Sequence, residues 1–383
     1  MKLLTMPKAD LDLFAGVLPA FGDLYAPVRR GRMHVFDRPS LWSDVDLGYS
    51  RTSLPPRKLF LPPREATLRF DPRTGYEDLL AEAARPRVLF GVHAYDIVGL
   101  NILDRVFAQG PYADPYYVAR RRSTAIIGID HQPDAHHFAS SLASDSVDTG
   151  FDLYLSDLGE RYLLLVGTSR GHDIVTMSGC LLDDAGPGDF AEYKRRAARR
   201  RAAYVTHVEL SGFAEIMEME YESAVWEELG KRCLSCGACS HVCPTCYCFD
   251  VQDEVDLGSR SGRRIRVWDS CLFRTHALVA GGENFRETRA SRVKFRYYHK
   301  QRGFVAEYGR PSCVGCGRCI DACPAGIDIV TVIRMLRGQT DADPGSAAAG
   351  RGADGESVPA APGADRAHSP DGAGQSPVPG AVR

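Results

Sequence analysis

The sequence lacks any long apolar run and any excess of charge of one sign. Residues 162–167 are typical of its longest apolar segments, far short of the roughly 20 residues that a membrane span needs. The 383 residues include 47 Lys and Arg against 49 Asp and Glu, a formal net charge of −2. Because proteins that bind nucleic acid or anionic membranes carry a clear positive excess, this balance argues against both. The first ten residues also lack the apolar stretch of a secretory signal, so we expect a cytoplasmic protein.

Cysteine is nearly absent from the first 232 residues, where Cys180 stands alone. The other eleven of the twelve cysteines follow residue 230, and eight of these lie in two tight clusters. An even number of cysteines permits disulfides, but disulfides form in oxidising compartments. Clustered thiols in a cytoplasmic protein indicate a metal centre instead.

One cysteine motif occurs twice and carries the chemistry. The pattern C-x2-C-x2-C-x3-C-P spans residues 233–244 and again residues 313–324. This is the spacing of two-cluster 4Fe–4S ferredoxins, in which three thiolates hold one cluster and the fourth cysteine binds the other. We therefore predict two 4Fe–4S clusters. The first set of ligands is Cys233, Cys236, Cys239 and Cys323, and the second set is Cys313, Cys316, Cys319 and Cys243.

Structural zinc is the alternative for these thiols. Zinc takes four tetrahedral ligands, usually from two separated C-x2-C pairs. That preference gives no reason for a third cysteine and a Cys-Pro in each copy of the motif. The doubled motif therefore favours iron–sulfur clusters, and a non-redox interaction module stabilised by metal stays an alternative.

Residues 1–210 predict a mixed α/β domain. Apolar runs at 87–92 and 124–129 indicate buried strands, and a helical stretch follows the first of them over 96–107. Segments 151–156 and 161–166 flank a turn and predict a hairpin. A helix is expected from Asp189, and its basic run at 194–201 is interpreted as a solvated face.

Residues 211–338 predict a mostly helical ferredoxin-like domain with an insertion at 245–310, which makes the expected fold class α+β. A helical pattern over 213–232 leads into the first motif, and another over 327–336 follows the second. From 339 to 383 the composition changes to Gly, Ala, Pro, Ser and Asp without aromatic residues. Such a segment cannot bury enough apolar surface to offset its ordering entropy, which predicts a disordered tail.

Several residues outside the two motifs have more than one interpretation. Cys246, Cys248 and Cys271 either form a third metal site or pack as small apolar groups, and Cys180 is expected to be structural. The polar stretch at 130–137, with His131, His136 and His137, fits a surface loop better than a metal site. Basic side chains of the insertion offer counter-charge for anionic clusters or for an acidic partner: Arg260, Arg263, Arg264, Arg266, Arg286, Arg289, Arg292, Lys294, Arg296, Lys300 and Arg302.

Two segments after the first motif carry a family resemblance. Residues 243–250 read CPTCYCFD and residues 267–271 read VWDSC. Together with 58–65, 90–96, 151–155, 284–286, 299–300 and the second motif, they resemble the beta subunits of cytosolic nickel–iron hydrogenases of the sulfhydrogenase type. They also resemble the A subunit of anaerobic sulfite reductase. The resemblance covers roughly residues 10–338 and leaves out the tail.

The resemblance implies a subunit that passes electrons between a flavin- and NAD(P)H-binding subunit and a catalytic subunit. We expect a nickel–iron hydrogenase as the catalytic partner, with a sulfite or sulfur reductase as the alternative. The chain itself shows no motif for flavin or NAD and no nucleophile–base pair, so bond chemistry is assigned to another chain.

One departure from the family concerns the N-terminal domain. Family members often carry further cysteines there, at places that correspond approximately to Tyr95, Asp130, His137 and Ala139. None of these residues is a cysteine. An N-terminal cluster held by four thiolates is therefore excluded in this chain.

Overall fold

The computed structural model describes residues 2–339, which form one compact unit. The predicted disordered tail therefore lies outside the described residues, except for Gln339. The strands within the described part are β1 (Leu3–Pro7), β2 (Asp23–Arg30), β3 (Met33–Asp37), β4 (Arg64–Asp71), β5 (Gly75–Asp78), β6 (Arg87–Val92), β7 (Thr124–Ile129), β8 (Leu153–Asp157), β9 (Arg161–Val166), β10 (Asp183–Asp184), β11 (Phe249–Val255) and β12 (Gly262–Trp268).

The helices alternate with these strands in the first half of the chain and dominate the second. They are α1 (Leu11–Val17), α2 (Leu80–Ala83), α3 (Ala94–Phe107), α4 (Pro115–Ser123), α5 (Ser169–Met177), α6 (Pro187–Ala202), α7 (Phe213–Met219), α8 (Val225–Arg232), α9 (Ala238–His241), α10 (Arg289–Tyr297), α11 (Val305–Tyr308), α12 (Arg318–Asp321) and α13 (Ile329–Leu336). A π-helical turn, Tyr298–Arg302, directly follows α10. Within residues 2–339, no helix is long and apolar enough to span a membrane.

The larger sheet has eight strands in the order β10-β1-β9-β8-β7-β6-β2-β3. Its central strands β2, β6, β7 and β8 run parallel, and β8 and β9 form the antiparallel hairpin that the sequence predicts. All six residues of β7 are buried, as expected for a strand covered on both faces. The predicted strands and hairpin of the first 210 residues are confirmed, as is the mixed helix and strand content.

A smaller sheet of four strands joins the two halves of the chain in the order β11-β12-β4-β5. Strand β12 of the insertion pairs antiparallel with β4, with Arg266 opposite Glu65. The sequence did not indicate this hairpin, because β11 is exposed at an edge and carries no buried apolar face. The division at residue 210 and the ferredoxin-like description of 211–338 stay predictions.

A second hydrophobic core surrounds the cysteine motifs. Trp226 and Leu229 of α8, Val293 of α10 and Ile333 of α13 are buried in it together with Cys233. The helical pattern predicted over 213–232 is present as two helices, α7 and α8. Helix α13 begins two residues later than predicted, where the Asp328 carboxylate caps it. This core fixes the helices from which the cysteine loops extend.

Candidate metal centre

The two motifs adopt the same local structure. In each, an extended loop carries the first two cysteines, and a one-turn helix, α9 or α12, carries the third. A glycine with positive φ begins each turn: Gly237 at +74° and Gly317 at +73°. L-residues rarely adopt this conformation, which explains glycine at both positions. Helices α9 and α12 contact each other, so the two loops face one another.

Backbone N–H groups point at several of the cysteine sulfurs. The donor–acceptor pairs are Ser235 N to Cys233 Sγ at 3.4 Å, Gly315 N to Cys313 Sγ at 3.5 Å and Ile327 N to Cys323 Sγ at 3.3 Å. Hydrogen bonds of this kind favour the thiolate form and tune the clusters that thiolates hold.

The structure brings the first set together around one apolar cavity. Its four cysteines line the cavity with Leu272, Val293, Tyr297 and Ile327. Cys323 comes from the second motif, more than 80 residues after the other three. Cys319 of the second set also lines this cavity, so the two sets adjoin. Cys236 is the exposed member of the first set.

The second set is brought together in a more buried place. Burial raises the pKa of the Cys313, Cys316 and Cys319 thiols, that of Cys316 to about 11. The charge of Cys243 contributes to the rise at each of the three. Cys243 follows two residues after the end of α9, and α9 contacts α12 of the second motif.

Two buried cations accompany these thiols. Arg296 and Lys300 are only 8% and 5% exposed. The Arg296 guanidinium donates to Cys239 O at 3.2 Å and to Cys246 Sγ at 3.8 Å. Lys300 Nζ donates to Thr245 Oγ1 at 2.7 Å. Of the eleven basic residues singled out in the sequence, Arg292 is the other one buried beside the motifs, since its guanidinium donates to Ser235 Oγ at 3.4 Å.

The remaining cysteines of the second half form contacts in pairs. The thiol of Cys246 lowers the pKa of Cys243, and Cys243 in turn raises the pKa of Cys246. A hydrogen bond from Cys271 lowers the pKa of Cys248 to about 7 and raises that of Cys271 well above its usual value. Among residues 2–339, no group of three or more His, Cys, Asp or Glu side chains is placed to hold a single metal ion. A third metal site stays a prediction, and Cys180 is exposed.

The histidines of the 130–137 stretch are not on a surface loop, so that prediction was wrong for His131 and His137. These two residues are 7% and 0% exposed, and only His136 is exposed. The Tyr95 ring lies 4.9 Å from the ring of His131 and 5.2 Å from that of His137. Burial lowers the pKa of His131 to about 3, so its imidazole is neutral. Aromatic partners from distant segments, which no local pattern reveals, account for the burial.

The same region contains three of the four positions at which the family resemblance implied further cysteines. Tyr95 and Ala139 pack in one buried apolar cluster with Cys316 of the second set, and His137 lies beside Tyr95. Asp130, the fourth, pairs instead with Arg200 at 2.8 Å. Aromatic and apolar side chains therefore lie directly against the second set.

Sequence reasoning missed a buried ion pair that anchors the second loop. Arg318, inside the second motif, donates through both terminal nitrogens to the Asp96 carboxylate at 2.7 Å. The two side chains are 2% and 0% exposed. A basic residue between two cluster cysteines was the available signal, but its partner at the start of α3 is 222 residues away.

Comparison with known proteins identifies the family. A family model described as a 4Fe-4S dicluster domain matches residues 232–327. The chain is 39% identical over 324 residues to Sulfhydrogenase 2 subunit beta of Pyrococcus furiosus, covering 85% of this chain and 95% of that relative. The chain belongs to the sulfhydrogenase beta-subunit family. The family resemblance is confirmed, and with it the class of iron–sulfur electron-transfer subunit.

The chain also has a more distant relative that is named as a beta subunit. F420-dependent formate dehydrogenase subunit beta of Methanocaldococcus jannaschii is 25% identical over 122 residues, which cover 32% of this chain and 24% of that protein. No solved structure matches the chain.

Proposed function

We propose that the first and second sets each hold one 4Fe–4S cluster and that the chain relays electrons one at a time between partner subunits. When bound, each cluster accepts and releases a single electron. The observation that carries the proposal is the cavity lined by Cys233, Cys236, Cys239 and Cys323. Four cysteines from two distant segments, at the rim of one cavity, match the donor set that such a cluster requires.

The surrounding residues suit this role. Left-handed glycines hold the loops in the conformation that directs the thiols inward, so little rearrangement accompanies cluster binding. Backbone N–H groups and the buried cations Arg296 and Lys300 offset the negative charge of the thiolates. Cys319 lines the first cavity as well, which keeps the path between the two sets short.

The proposed partner subunits rest on the family resemblance. The Pyrococcus furiosus relative is named as the beta subunit of a sulfhydrogenase. We therefore propose a flavoprotein subunit that binds NAD(P)H on one side and a nickel–iron hydrogenase subunit on the other, in a cytoplasmic complex. A sulfite or sulfur reductase as the catalytic partner is the alternative, and identification of the subunits that co-purify with the chain distinguishes the two.

Metal analysis tests the cluster proposal. We expect the anaerobically purified full chain to be brown and to contain about eight iron and eight acid-labile sulfide per chain, since two 4Fe–4S clusters require that number. Its visible absorption should bleach on addition of dithionite. Zinc in place of iron, without labile sulfide, would support the non-redox metal module and end the proposal.

A further inference from the structure

The two buried cations differ in which cysteines they contact. We propose that Arg296 raises the reduction potentials of both clusters, whereas Lys300 raises that of the cluster held by the second set alone. The inference rests on the proposed function, because it assigns roles to residues next to the clusters proposed there. Under this proposal, Arg296 and Lys300 influence which cluster is reduced, although neither is a ligand.

Arg296 lies at the cavity where the two sets adjoin. Its guanidinium lines the cavity of the first set, where Cys319 of the second set is also found. It donates to the carbonyl of Cys239, a member of the first set, and to the sulfur of Cys246. These hydrogen bonds go to cysteines rather than to a carboxylate. A buried charge is costly unless an opposite charge compensates it, and the thiolates provide that compensation.

Lys300 is directed toward the second set. Its ammonium donates to Thr245 Oγ1 at 2.7 Å, and that hydroxyl lies 3.4 Å from Cys243 Sγ. One hydroxyl group therefore separates the ammonium from a proposed ligand of the second cluster. Lys300 is only 5% exposed, so its side chain lies in the interior beside this hydroxyl. The π-helical turn after α10 carries this residue.

The physical consequence is a shift in potential. Reduction adds a negative charge to a site that is already anionic, and a cation at short range in a low-dielectric interior stabilises that added charge. Arg296 donates to Cys239 of the first set and lines a cavity that Cys319 of the second set also lines, so it stabilises reduction of either cluster. Lys300 reaches the second set through Thr245, so it favours the electron on that cluster. The pair therefore biases where an electron resides within the chain.

Redox titration of the loaded full chain, followed by electron paramagnetic resonance, tests the assignment. We expect Lys300→Gln to shift one of two midpoint potentials downward and to leave the other unchanged, whereas Arg296→Gln shifts both. The charge-conserving variants Lys300→Arg and Arg296→Lys should recover most of each shift. Lys294→Gln is the matched control, because Lys294 lies on α10 but donates to Tyr221 O, away from the cysteines. It should move neither potential.

Iron and sulfide content separates failure of this inference from failure of the proposed function. Wild-type chain without iron and sulfide would end the cluster proposal itself. With clusters present, an unchanged potential in Lys300→Gln, or equal shifts of both, would overturn the inference. If Lys300→Gln loses iron, Lys300→Met takes its place, because it also removes the charge and leaves an apolar side chain at the buried position. An unchanged pair of midpoints in iron-loaded Lys300→Met would then overturn the inference.

Discussion

At the scale of single residues, Gly237 shows how little freedom the cysteine loops have. Its φ of +74° disfavours any other residue, and a Cβ there would lie 2.6 Å from the ring of Phe273. Gly212 has a similar φ of +64° but open space around its position. A substitution at Gly212 therefore causes backbone strain alone, whereas a substitution at Gly237 causes backbone strain and a steric clash.

We expect Gly237→Ala to lower the iron content of the chain, whereas Gly212→Ala leaves it unchanged. The left-handed conformation alone costs an alanine about 1–2 kcal/mol, so both variants lose stability, and Gly237→Ala loses more because Phe273 must move. Iron analysis and chemical denaturation of both proteins measure the difference. Equal iron content in the two variants would show that the loop tolerates the displacement.

At the scale of elements, the Arg318–Asp96 pair joins the second cysteine loop to the first turn of α3. Both side chains are almost fully buried, and Arg318 also donates to Thr52 O at 2.8 Å. Removal of one partner would leave a buried charge without compensation, which costs far more than the loss of an exposed pair. The position of the second cysteine loop therefore depends on a side chain from the N-terminal half of the chain.

Asp96→Ala should lower the free energy of unfolding by about 3–5 kcal/mol, because it leaves the Arg318 guanidinium buried without its carboxylate. Denaturant titration under anaerobic conditions measures the loss. Asp253→Ala provides the control, since Asp253 pairs with Arg264 on the exposed face of β11 and β12 and its removal should have little effect. Similar losses in the two variants would contradict the anchoring role of Arg318.

At the scale of the whole molecule, the proposed ligand sets cross between distant segments. Cys323 lines the cavity of the first motif, and Cys243 follows α9, which contacts α12 of the second motif. The insertion between the motifs returns to the N-terminal half through the pairing of β12 with β4. Each proposed cluster would therefore have ligands from two parts of the chain that are far apart in sequence.

Single cysteine variants test this crossing. Cys323→Ser should remove the cluster of Cys233, Cys236 and Cys239, leave the other, and reduce the iron from about eight to about four per chain. Electron paramagnetic resonance identifies the remaining cluster by comparison with Cys319→Ser, which should lose the opposite one. Cys180→Ser, at an exposed position, should keep both. If Cys323→Ser and Cys319→Ser lost the same signal, each motif would hold its own cluster and the crossed sets would be wrong.

Much of the N-terminal half could be predicted because its signals are local. Strands β6 and β7 are short apolar runs, and β8 and β9 flank a turn, so burial and turn chemistry identify them directly. The hairpin β11–β12 could not be predicted, because β11 is exposed and β12 is held by pairing with β4, a distant segment of the chain. The two buried histidines of the 130–137 stretch were misjudged for a similar reason, since Tyr95 and Tyr204 contact them from distant segments.

The sequence by itself determined the candidate ligands and their number, because thiolate spacing on a short loop is a property of neighbouring residues. Only the tertiary structure decided which cations lie beside those thiols. Eleven basic residues of the insertion were equivalent in the sequence, yet the structure buries Arg296 and Lys300 against the cysteines and leaves Arg260, Arg263 and Arg264 exposed. Burial of a charge depends on long-range packing, since compensation must come from groups elsewhere in the chain.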